Sequence, residues 1–176
     1  MRMPPEPRGD SPQREAGAFR VGIGYDSHRF GPGRPLILGG VSIPSDVGLV
    51  GHSDGDAICH AVTDAVLGAA GLGDIGEMFS DKDARNKNRD SIEMLALAVK
   101  RVTDAGFTPV QADVTVIAES PKLAPYRDKM RERVGFALGI ESSDVSVKGK
   151  SNEGMGWIGR NEGLACIAVV TLRGTR

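Results

Sequence analysis

The sequence predicts a single α/β domain in which one β-sheet is covered by helices. Segments with alternating apolar residues, which are typical of strands, take turns along the chain with segments whose apolar residues recur at helical spacing. The chain has 176 residues and a net charge of −1, so it is long enough to bury a core and has no charge excess that would attract nucleic acid or an anionic membrane. Its apolar runs are too short for a membrane span.

The N-terminal segment indicates where the domain begins, and the cysteines indicate the redox environment of the protein. Residues 1–17 combine four prolines with mixed charges and no aromatic residue, which predicts a disordered tail ahead of a domain spanning residues 18–173. The two cysteines, Cys59 and Cys166, lie in apolar segments, so we expect buried thiols and a protein of the reducing cytoplasm.

The first predicted strand carries apolar side chains on one face: Phe19, Val21, Ile23 and Tyr25. Its other face holds Gly22 and Gly24, followed by Asp26 and His28. Two interpretations of the bare glycines remain open. They admit a ligand or a neighbouring chain to this face, or they allow the strand to pack closely against a helix.

Turn and capping signals define the next elements. Two glycines between the apolar segments 35–38 and 41–43 predict a short hairpin. Ser53 or Asp54 is expected to cap a helix that ends at Gly71. The segment that follows, up to residue 89, has no apolar periodicity and is predicted to be a functional or mobile loop.

The second half of the chain contains two further helices and three further strands. Asp90 is expected to cap a helix, with Glu93 completing a capping box. The other predicted elements are strands at 110–118, 145–150 and 164–172, a helix at 125–139 and a glycine-rich loop without a helix at 150–163. The last strand is apolar on both faces, so we expect it to be buried on both sides. The 125–139 helix interleaves acidic and basic residues, which favours a solvated face over an anion-binding patch.

All three histidines, His28, His52 and His60, fall between residues 22 and 60. Asp26 and His28 leave the same face of a strand and His60 lies inside the next helix, an arrangement typical of an open metal site. Two imidazoles and a carboxylate suit zinc and leave a fourth position for substrate. His52 precedes the free N–H groups of a helix start, which indicates phosphate binding, while an ordinary surface-loop role fits the pattern equally well.

Several motifs occur along the chain in one order: G-Y-D-S-H, H-S-D-G-D-A-I-C-H, T-D-A-V-L-G-A-A-G-L-G-D-I-G, S-P-K and N-E-G-M-G-W-I-G-R-N-E-G. Over residues 19–173 the chain resembles the 2-C-methyl-D-erythritol 2,4-cyclodiphosphate synthase family of the non-mevalonate isoprenoid pathway. The resemblance implies a mixed β-sheet with helices on one side, and a homotrimer with active sites between neighbouring chains.

The resemblance also implies a reaction. In this family the 2-phosphate of 4-diphosphocytidyl-2-C-methyl-D-erythritol 2-phosphate attacks the β-phosphate. CMP departs and 2-C-methyl-D-erythritol 2,4-cyclodiphosphate forms, which is an intramolecular phosphoryl transfer.

Roles for individual residues follow from the same resemblance. The residues that match the family's zinc ligands are Asp26, His28 and His60. Glu153 matches a ligand of a second metal, magnesium or manganese, that binds with the substrate diphosphate. His52 and Ser151 match the residues that contact phosphate during transfer, so they are the expected catalytic residues. From helical spacing, Asp56 or Asp64 is expected to orient the His60 ring.

The expected substrate-binding residues cover the phosphate, methylerythritol, flexible-loop, cytidine and diphosphate segments and two channel positions. They are Asp26, Ser27, His28, His52, Ser53, Asp74, Ile75, Gly76, Phe79, Ser80, Asp81, Lys82, Asp83, Ala118, Glu119, Ser120, Pro121, Lys122, Leu123, Ala124, Lys150, Ser151, Asn152, Glu153, Trp157 and Arg160.

Three positions depart from the family pattern. Ser151 replaces the usual threonine, Trp157 stands where phenylalanine is common, and Asn161 interrupts the usual R-G-E-G. Two other functions fit the metal-ligand pattern considered alone. One is a generic zinc-dependent phosphohydrolase, and the other is a non-catalytic trimeric metal-binding protein.

Overall fold

A mixed five-stranded β-sheet forms the centre of the protein, which a computed structural model describes over residues 17–175. The strands are β1 (Phe19–Gly31), β2 (Leu36–Leu38), β3 (Val41–Ile43), β4 (Gly48–Leu49), β5 (Phe107–Ile117), β6 (Val145–Lys150) and β7 (Gly163–Gly174). The sheet order is β4-β1-β7-β5-β6; β5 and β6 are parallel, and the other neighbouring pairs are antiparallel. β2 and β3 form the predicted hairpin as a separate sheet. The predicted tail, apart from Gly17, lies outside the described residues.

The long helices form one layer on one side of this sheet. The helices are α1 (Ala57–Ala70), α2 (Ile75–Met78), α3 (Ser91–Asp104), α4 (Arg127–Leu138) and α5 (Gly156–Gly159), with 3-10 turns at Ala84–Asn86 and Ser142–Asp144. α1 packs along β1 and β7, α3 packs against β5, and α4 packs against β6. This confirms the α/β class and the mixed sheet. Between residues 17 and 175 no helix is long and apolar enough to cross a membrane.

The two glycines of β1 allow the strand and α1 to approach each other closely. A Cβ atom on Gly22 would overlap the carbonyl oxygen of Ala65, and one on Gly24 would overlap the carbonyl oxygen of Ala61. Both carbonyls belong to the α1 backbone, so these positions have no room for any side chain. Close strand–helix packing is therefore the correct interpretation of the glycines, and access for a ligand to this face is not.

The opposite face of the sheet is apolar and exposed in the single chain. Ile23 and Tyr25 of β1 are 71% and 56% exposed. On β7, Cys166 and Ala168 are buried under the helices, whereas Ile167 points to the other side and is 37% exposed. The prediction that the last strand is buried on both sides is wrong for the described chain, because helices cover only one face.

Helix capping agrees with the sequence in part. Asp56, and neither Ser53 nor Asp54, caps α1 by accepting the N–H groups of Ile58 and Cys59. Gly71 ends α1 in the left-handed conformation, as predicted. Asp90 caps α3 as predicted, but Glu93 pairs with Arg89 at 3.0 Å.

Two segments that we predict as loops contain short helices. The first, residues 71–89, holds α2 and a 3-10 turn, and the second, residues 150–163, holds α5. Each of these α-helices has four residues, which is too short to show an apolar stripe in the sequence. α2 is nevertheless important because it lies beside the histidines.

Candidate active site

Asp26, His28 and His60 converge at the junction of β1 and α1. Asp26 Oδ2 lies 3.1 Å from His60 Nδ1 and 3.5 Å from His28 Nε2. The ligand atoms of the three residues all lie within 4.8 Å of one another. The prediction that a strand-borne Asp-x-His pair meets a helix-borne histidine is confirmed.

The donor atoms suit a tetrahedral metal ion such as zinc. Zinc–nitrogen and zinc–oxygen bonds of about 2.0–2.1 Å place neighbouring ligand atoms about 3.4 Å apart, close to the two separations seen here. His28 Nε2 is buried and has no hydrogen-bond partner. His28 Nδ1 lies 2.9 Å from the carbonyl oxygen of Ser27, which can only accept, so that nitrogen carries the proton and Nε2 keeps a free lone pair. A divalent metal therefore fits these three residues.

The other ring nitrogen of His60 contacts two serine hydroxyls. His60 Nε2 lies 2.9 Å from Ser53 Oγ and 3.0 Å from Ser91 Oγ. The Ser91 hydroxyl donates in turn to Asp54 Oδ1 at 2.5 Å. Ser91 is fully buried and is the first residue of α3. Ser91 was not predicted as a site residue, because a serine that follows a capping aspartate is common at the start of a helix.

Neither carboxylate that we expected to orient His60 does so. The side chain of Asp56 accepts four backbone N–H groups, two from α1 and two from the β2–β3 hairpin at Gly39 and Gly40. Asp64 accepts the N–H of Ile75 at 2.8 Å and so ties α2 to α1. Both carboxylates are occupied by unpaired N–H groups at helix starts, a demand that spacing from His60 does not reveal.

The pKa values of Asp26 and His60 shift in opposite directions. Burial lowers the pKa of His60, but the hydrogen bond with Asp26 and the charge of that carboxylate outweigh it, so the pKa of His60 is raised. For Asp26, burial raises the pKa, whereas the hydrogen bond from His60 and the charges of His28 and His60 lower it by more. Each residue therefore favours the charged form of the other.

A cleft of about 180 Å³ opens beside the Asp26, His28 and His60 cluster. Residues expected from the sequence that line it are His28, His52, Ser53, His60, Ile75, Gly76, Phe79 and Asp81. Asn86 and Met94 also line the cleft and were not predicted. Asp74 caps α2 by accepting the N–H of Glu77 at 2.8 Å. Ser80, Lys82 and Asp83 lie outside the lining of this cleft.

A second cavity, of about 220 Å³, lies where β5 and β6 end. The expected residues that line it are Ala118, Glu119, Pro121, Lys122, Leu123, Ala124, Lys150 and Ser151. Val116, Arg127, Val147 and Gly149 complete the wall and were not predicted. Ser120 points elsewhere and donates to Asn161 Oδ1 at 2.9 Å.

The segment that follows β6 is held against the second cavity. Glu119 Oε1 accepts the N–H groups of Asn152 and Gly154 at 2.9 and 3.1 Å. Ser151 Oγ donates to Glu153 Oε1 at 2.6 Å, so these two expected phosphate- and metal-binding groups lie together. Within residues 17–175, Glu153 belongs to no group of three possible metal ligands, so a metal there would need substrate oxygens.

The two cavities lie at the same end of the sheet but remain separate. Asp26 pairs with Cys166, Cys166 with Val116, and Val116 with Gly149, which gives one row across β1, β7, β5 and β6. With strands about 4.8 Å apart, Asp26 and Gly149 are about 14 Å apart. The cavities share no lining residue.

Trp157 and Arg160 belong to neither cavity within one chain. Trp157 lies on α5 and is 38% exposed. Arg160 Nε donates to Glu162 Oε1 at 2.7 Å on the surface. The two cavities of the single chain therefore give no support to the substrate and channel contacts expected for these two residues.

Known proteins share both the sequence and the fold. The YgbB family model matches residues 19–173. The chain is 63% identical over 154 residues to the 2-C-methyl-D-erythritol 2,4-cyclodiphosphate synthase of Gemmatimonas aurantiaca, covering 88% of this chain and 93% of the relative.

Solved structures give the same result. The CDP complex of IspF from Plasmodium falciparum superposes with a TM-score of 0.79 at 33% identity, covering 92% of this chain and 100% of the other. The bifunctional IspDF from Campylobacter jejuni has a TM-score of 0.87 at 42% identity over 90% of this chain, and this chain spans only 43% of that longer protein. With sequence and fold in agreement over nearly all of its described length, the chain belongs to the YgbB family, the family of 2-C-methyl-D-erythritol 2,4-cyclodiphosphate synthases.

Proposed function

We propose that the protein is a phosphorus–oxygen lyase that converts 4-diphosphocytidyl-2-C-methyl-D-erythritol 2-phosphate to 2-C-methyl-D-erythritol 2,4-cyclodiphosphate and CMP. The observation that carries the proposal is the cleft lined by His28, His52 and His60, with Asp26 beside His28 and His60. It brings an open metal site and a phosphate-contacting histidine together, as phosphoryl transfer requires. The catalytic domain would span residues 18–173.

The reaction needs little covalent chemistry from the protein. An oxygen of the 2-phosphate forms a bond to the β-phosphorus, and the bond from that phosphorus to the oxygen of CMP breaks, so atoms and charge balance without water. A zinc ion held by Asp26, His28 and His60 would neutralise charge on the phosphates when bound. His52 and Ser151 would donate hydrogen bonds to phosphate oxygens, where charge changes most in the transition state.

The remaining residues would position the substrate. Ser53, whose hydroxyl lies 2.9 Å from His60 Nε2, would contact the phosphates. The side chain of Ser27 leaves the opposite face of β1, together with Ile23 and Tyr25, and lines neither cavity, so the expected phosphate contact of Ser27 has no support within one chain. The α2 start at Asp74, Ile75 and Gly76 would hold the methylerythritol hydroxyls through the carboxylate of Asp74, since the N–H groups of Ile75 and Glu77 already donate to Asp64 and Asp74. The segment 79–83 would close around the substrate.

The second cavity would bind cytidine. Its floor is apolar, with Val116 and Leu123, and its rim carries backbone polar groups of the segment 118–124. A flat base needs such a combination of apolar contact and edge hydrogen bonds. Lys150, Asn152 and the neighbouring Ser151 and Glu153 would hold the diphosphate with a second metal, magnesium or manganese.

The substrate would be bound between two chains of a homotrimer. Two observations support this arrangement. The metal cleft and the second cavity are separate within one chain, and the apolar face with Ile23 and Tyr25 needs a cover. Three equivalent contacts in a closed ring would bury that face near the axis, where Trp157 and Arg160 would line a channel. The two buried free thiols, Cys59 and Cys166, suit the reducing cytoplasm, where we place the reaction.

Phosphorus NMR tests the proposal directly. The zinc- and magnesium-loaded protein is incubated with the substrate in water enriched in oxygen-18. Formation of a cyclic diphosphate and CMP without the heavy isotope supports intramolecular transfer. Isotope in the phosphate products would show that water is the nucleophile, and the protein would then be a phosphohydrolase.

A further inference from the structure

We propose that Arg34 is a positioning residue that fixes the loop carrying His52 by holding the peptide groups on both sides of it. The inference rests on the proposed function, because His52 is there a phosphate-contacting residue. Arg34 belongs to the turn between β1 and β2, which contributes no other residue to the site.

The guanidinium of Arg34 bridges the residues before and after His52. Its Nη1 donates to the carbonyl oxygen of Gly51 at 2.5 Å, and its Nη2 donates to the carbonyl oxygen of Ser53. Nη2 also donates to Asn88 Oδ1 at 3.4 Å. Since a guanidinium is planar and rigid, two donors from one group fix the relative orientation of the two accepting peptides.

The carbonyl of His52 itself is held from another direction. The N–H of Asn88 donates to it at 2.9 Å, and Asn88 adopts a left-handed conformation with φ of 57°. Three successive carbonyls, at residues 51, 52 and 53, therefore accept hydrogen bonds from outside the loop. A segment held in this way presents its one long side chain, His52, from a fixed backbone.

The hydrogen bonds of Arg34 also connect to the candidate metal site through Ser53. Ser53, whose carbonyl Arg34 holds, also places its hydroxyl 2.9 Å from His60 Nε2. Moving the loop would disturb His52 and the His60 contact together. A misplacement of about 1 Å in such a loop can cost about a hundredfold in rate.

The charge of Arg34 adds to this effect. No carboxylate in residues 17–175 forms an ion pair with it, so its positive charge is balanced only by carbonyl and amide dipoles. A Cβ atom on Gly48 would overlap the carbonyl oxygens of Arg34 and Pro35, so the backbone of this turn lies close against β4. A fixed, unpaired cation directly behind a phosphate-contacting loop favours the bound anion.

The first test compares Arg34→Ala with Arg34→Lys and, as a matched control, Arg101→Ala on the exposed surface of α3. We expect Arg34→Ala to lower kcat about ten- to a hundredfold with KM changed less than about threefold, because positioning acts on the transferring phosphate. Arg34→Lys keeps the charge but not the fork and should be intermediate. Arg101→Ala should match the parent. Millimolar guanidinium should restore part of the rate of Arg34→Ala, and equal concentrations of sodium chloride should not.

The second test is a double-mutant cycle with His52→Ala. If Arg34 acts through the loop that carries His52, the two substitutions should be less than multiplicative, so the double variant should be clearly faster than the product of the two single effects predicts. A double variant slower by the product of the two single effects would overturn the proposal. So would a kcat in Arg34→Ala equal to that of the parent, or a loss that guanidinium leaves unchanged.

Amide hydrogen exchange at residues 51–54 separates this inference from the proposed function. We expect exchange there to be faster in Arg34→Ala than in the parent, with the exchange of α3 amides unchanged. If the parent forms no cyclic product, the proposed function fails, yet the exchange result still decides whether Arg34 orders the loop. Should Arg34→Ala fail to fold, Arg34→Gln, which keeps one donor group, takes its place in every measurement.

Discussion

Ser91 Oγ lies 3.0 Å from His60 Nε2 and donates its own proton to Asp54 Oδ1. Because the Ser91 proton is committed to a carboxylate, its oxygen must accept, and His60 Nε2 must carry a proton. In the neutral ring the free lone pair is then on Nδ1, which faces Asp26 and His28. The relay from Asp54 through Ser91 thus prepares the ring for a metal ion.

Ser91→Ala should therefore weaken zinc binding. Loss of a group that orients a metal-binding histidine lowers metal affinity about ten- to a hundredfold. The measurement is a competition with a chelating dye at fixed pH. Ser142→Ala, at an exposed 3-10 turn far from the metal site in the sequence, is the control and should bind zinc like the parent. Unchanged affinity in Ser91→Ala would show that Ser53, at 2.9 Å, orients the ring alone.

As the pH is lowered, zinc affinity should begin to fall at a higher pH than it would for a histidine with an ordinary pKa. The pKa of His60 is raised above the ordinary imidazole value by the hydrogen bond and charge of Asp26, and zinc needs the neutral ring, so protons compete as pH falls through the raised value. One competing proton changes the affinity about tenfold per pH unit below that pKa. Titrations between pH 5 and pH 8 test this. An affinity that stays constant down to the ordinary pKa of imidazole would contradict it.

At the alkaline end, the metal-free protein should lose stability as the pH rises, whereas the zinc affinity of the protein increases with pH. A raised His60 pKa contributes stability that is present below the ordinary imidazole pKa and is lost as pH rises through the raised value. The lowered pKa of Asp26 contributes stability that is lost as pH falls through that lowered value. Melting temperatures of chelator-treated protein should be highest between these limits, and His60→Ala should flatten the profile.

The sequence predicted that Asp26, His28 and His60 converge, because strand and helix periodicity are local. Asp26 and His28 are two residues apart on a strand, so their common face needs no knowledge of the fold. Ser91 and Arg34 could not be found in this way. Each reaches its partner across a long stretch of chain, and their contacts arise only when α3 and the β1–β2 turn pack beside α1.

The exposed face of the sheet shows a different limit of sequence reasoning. The alternation of β1 correctly separated Phe19, Val21, Ile23 and Tyr25 from the glycines. It could not decide which face the helices cover, so access of a ligand or a neighbouring chain to the glycine face remained one of two open interpretations. The apolar face is the exposed one, because only bare glycines allow the α1 backbone to lie so close.

Ser151 offers a test of the catalytic roles. Its hydroxyl is exposed and donates to Glu153 Oε1 at 2.6 Å, so it can turn to a phosphate oxygen without leaving a buried group unpaired. Ser151→Ala should lower kcat by ten- to a thousandfold, about the cost of removing one transition-state donor. Ser151→Thr, which keeps the hydroxyl, should be close to the parent. A Ser151→Ala enzyme as fast as the parent would show that this role is wrong.

Subunit mixing tests whether each active site is shared. His60→Ala damages only the metal cleft, and Lys122→Glu damages only the second cavity, so each homotrimer should be nearly inactive. In trimers formed at random from equal amounts of the two variants, a shared site takes its metal half from one chain and its cytidine half from a neighbour. About one site in four should then contain two intact halves. Activity near a quarter of the parent's is the expected result.

Active sites formed within one chain predict a different fraction of intact sites. If both cavities serve one chain, every chain in every mixture carries a lesion, and no combination of subunits restores a site. The mixture must first be shown to contain heterotrimers, for which native mass spectrometry of differently tagged chains is sufficient. A second control joins His60→Ala and Lys122→Glu in one chain and mixes it with the parent. Shared sites again predict that about one site in four is intact, whereas unshared sites predict one half. Because one mixture gains activity and the other loses it, an error in protein concentration cannot imitate both results.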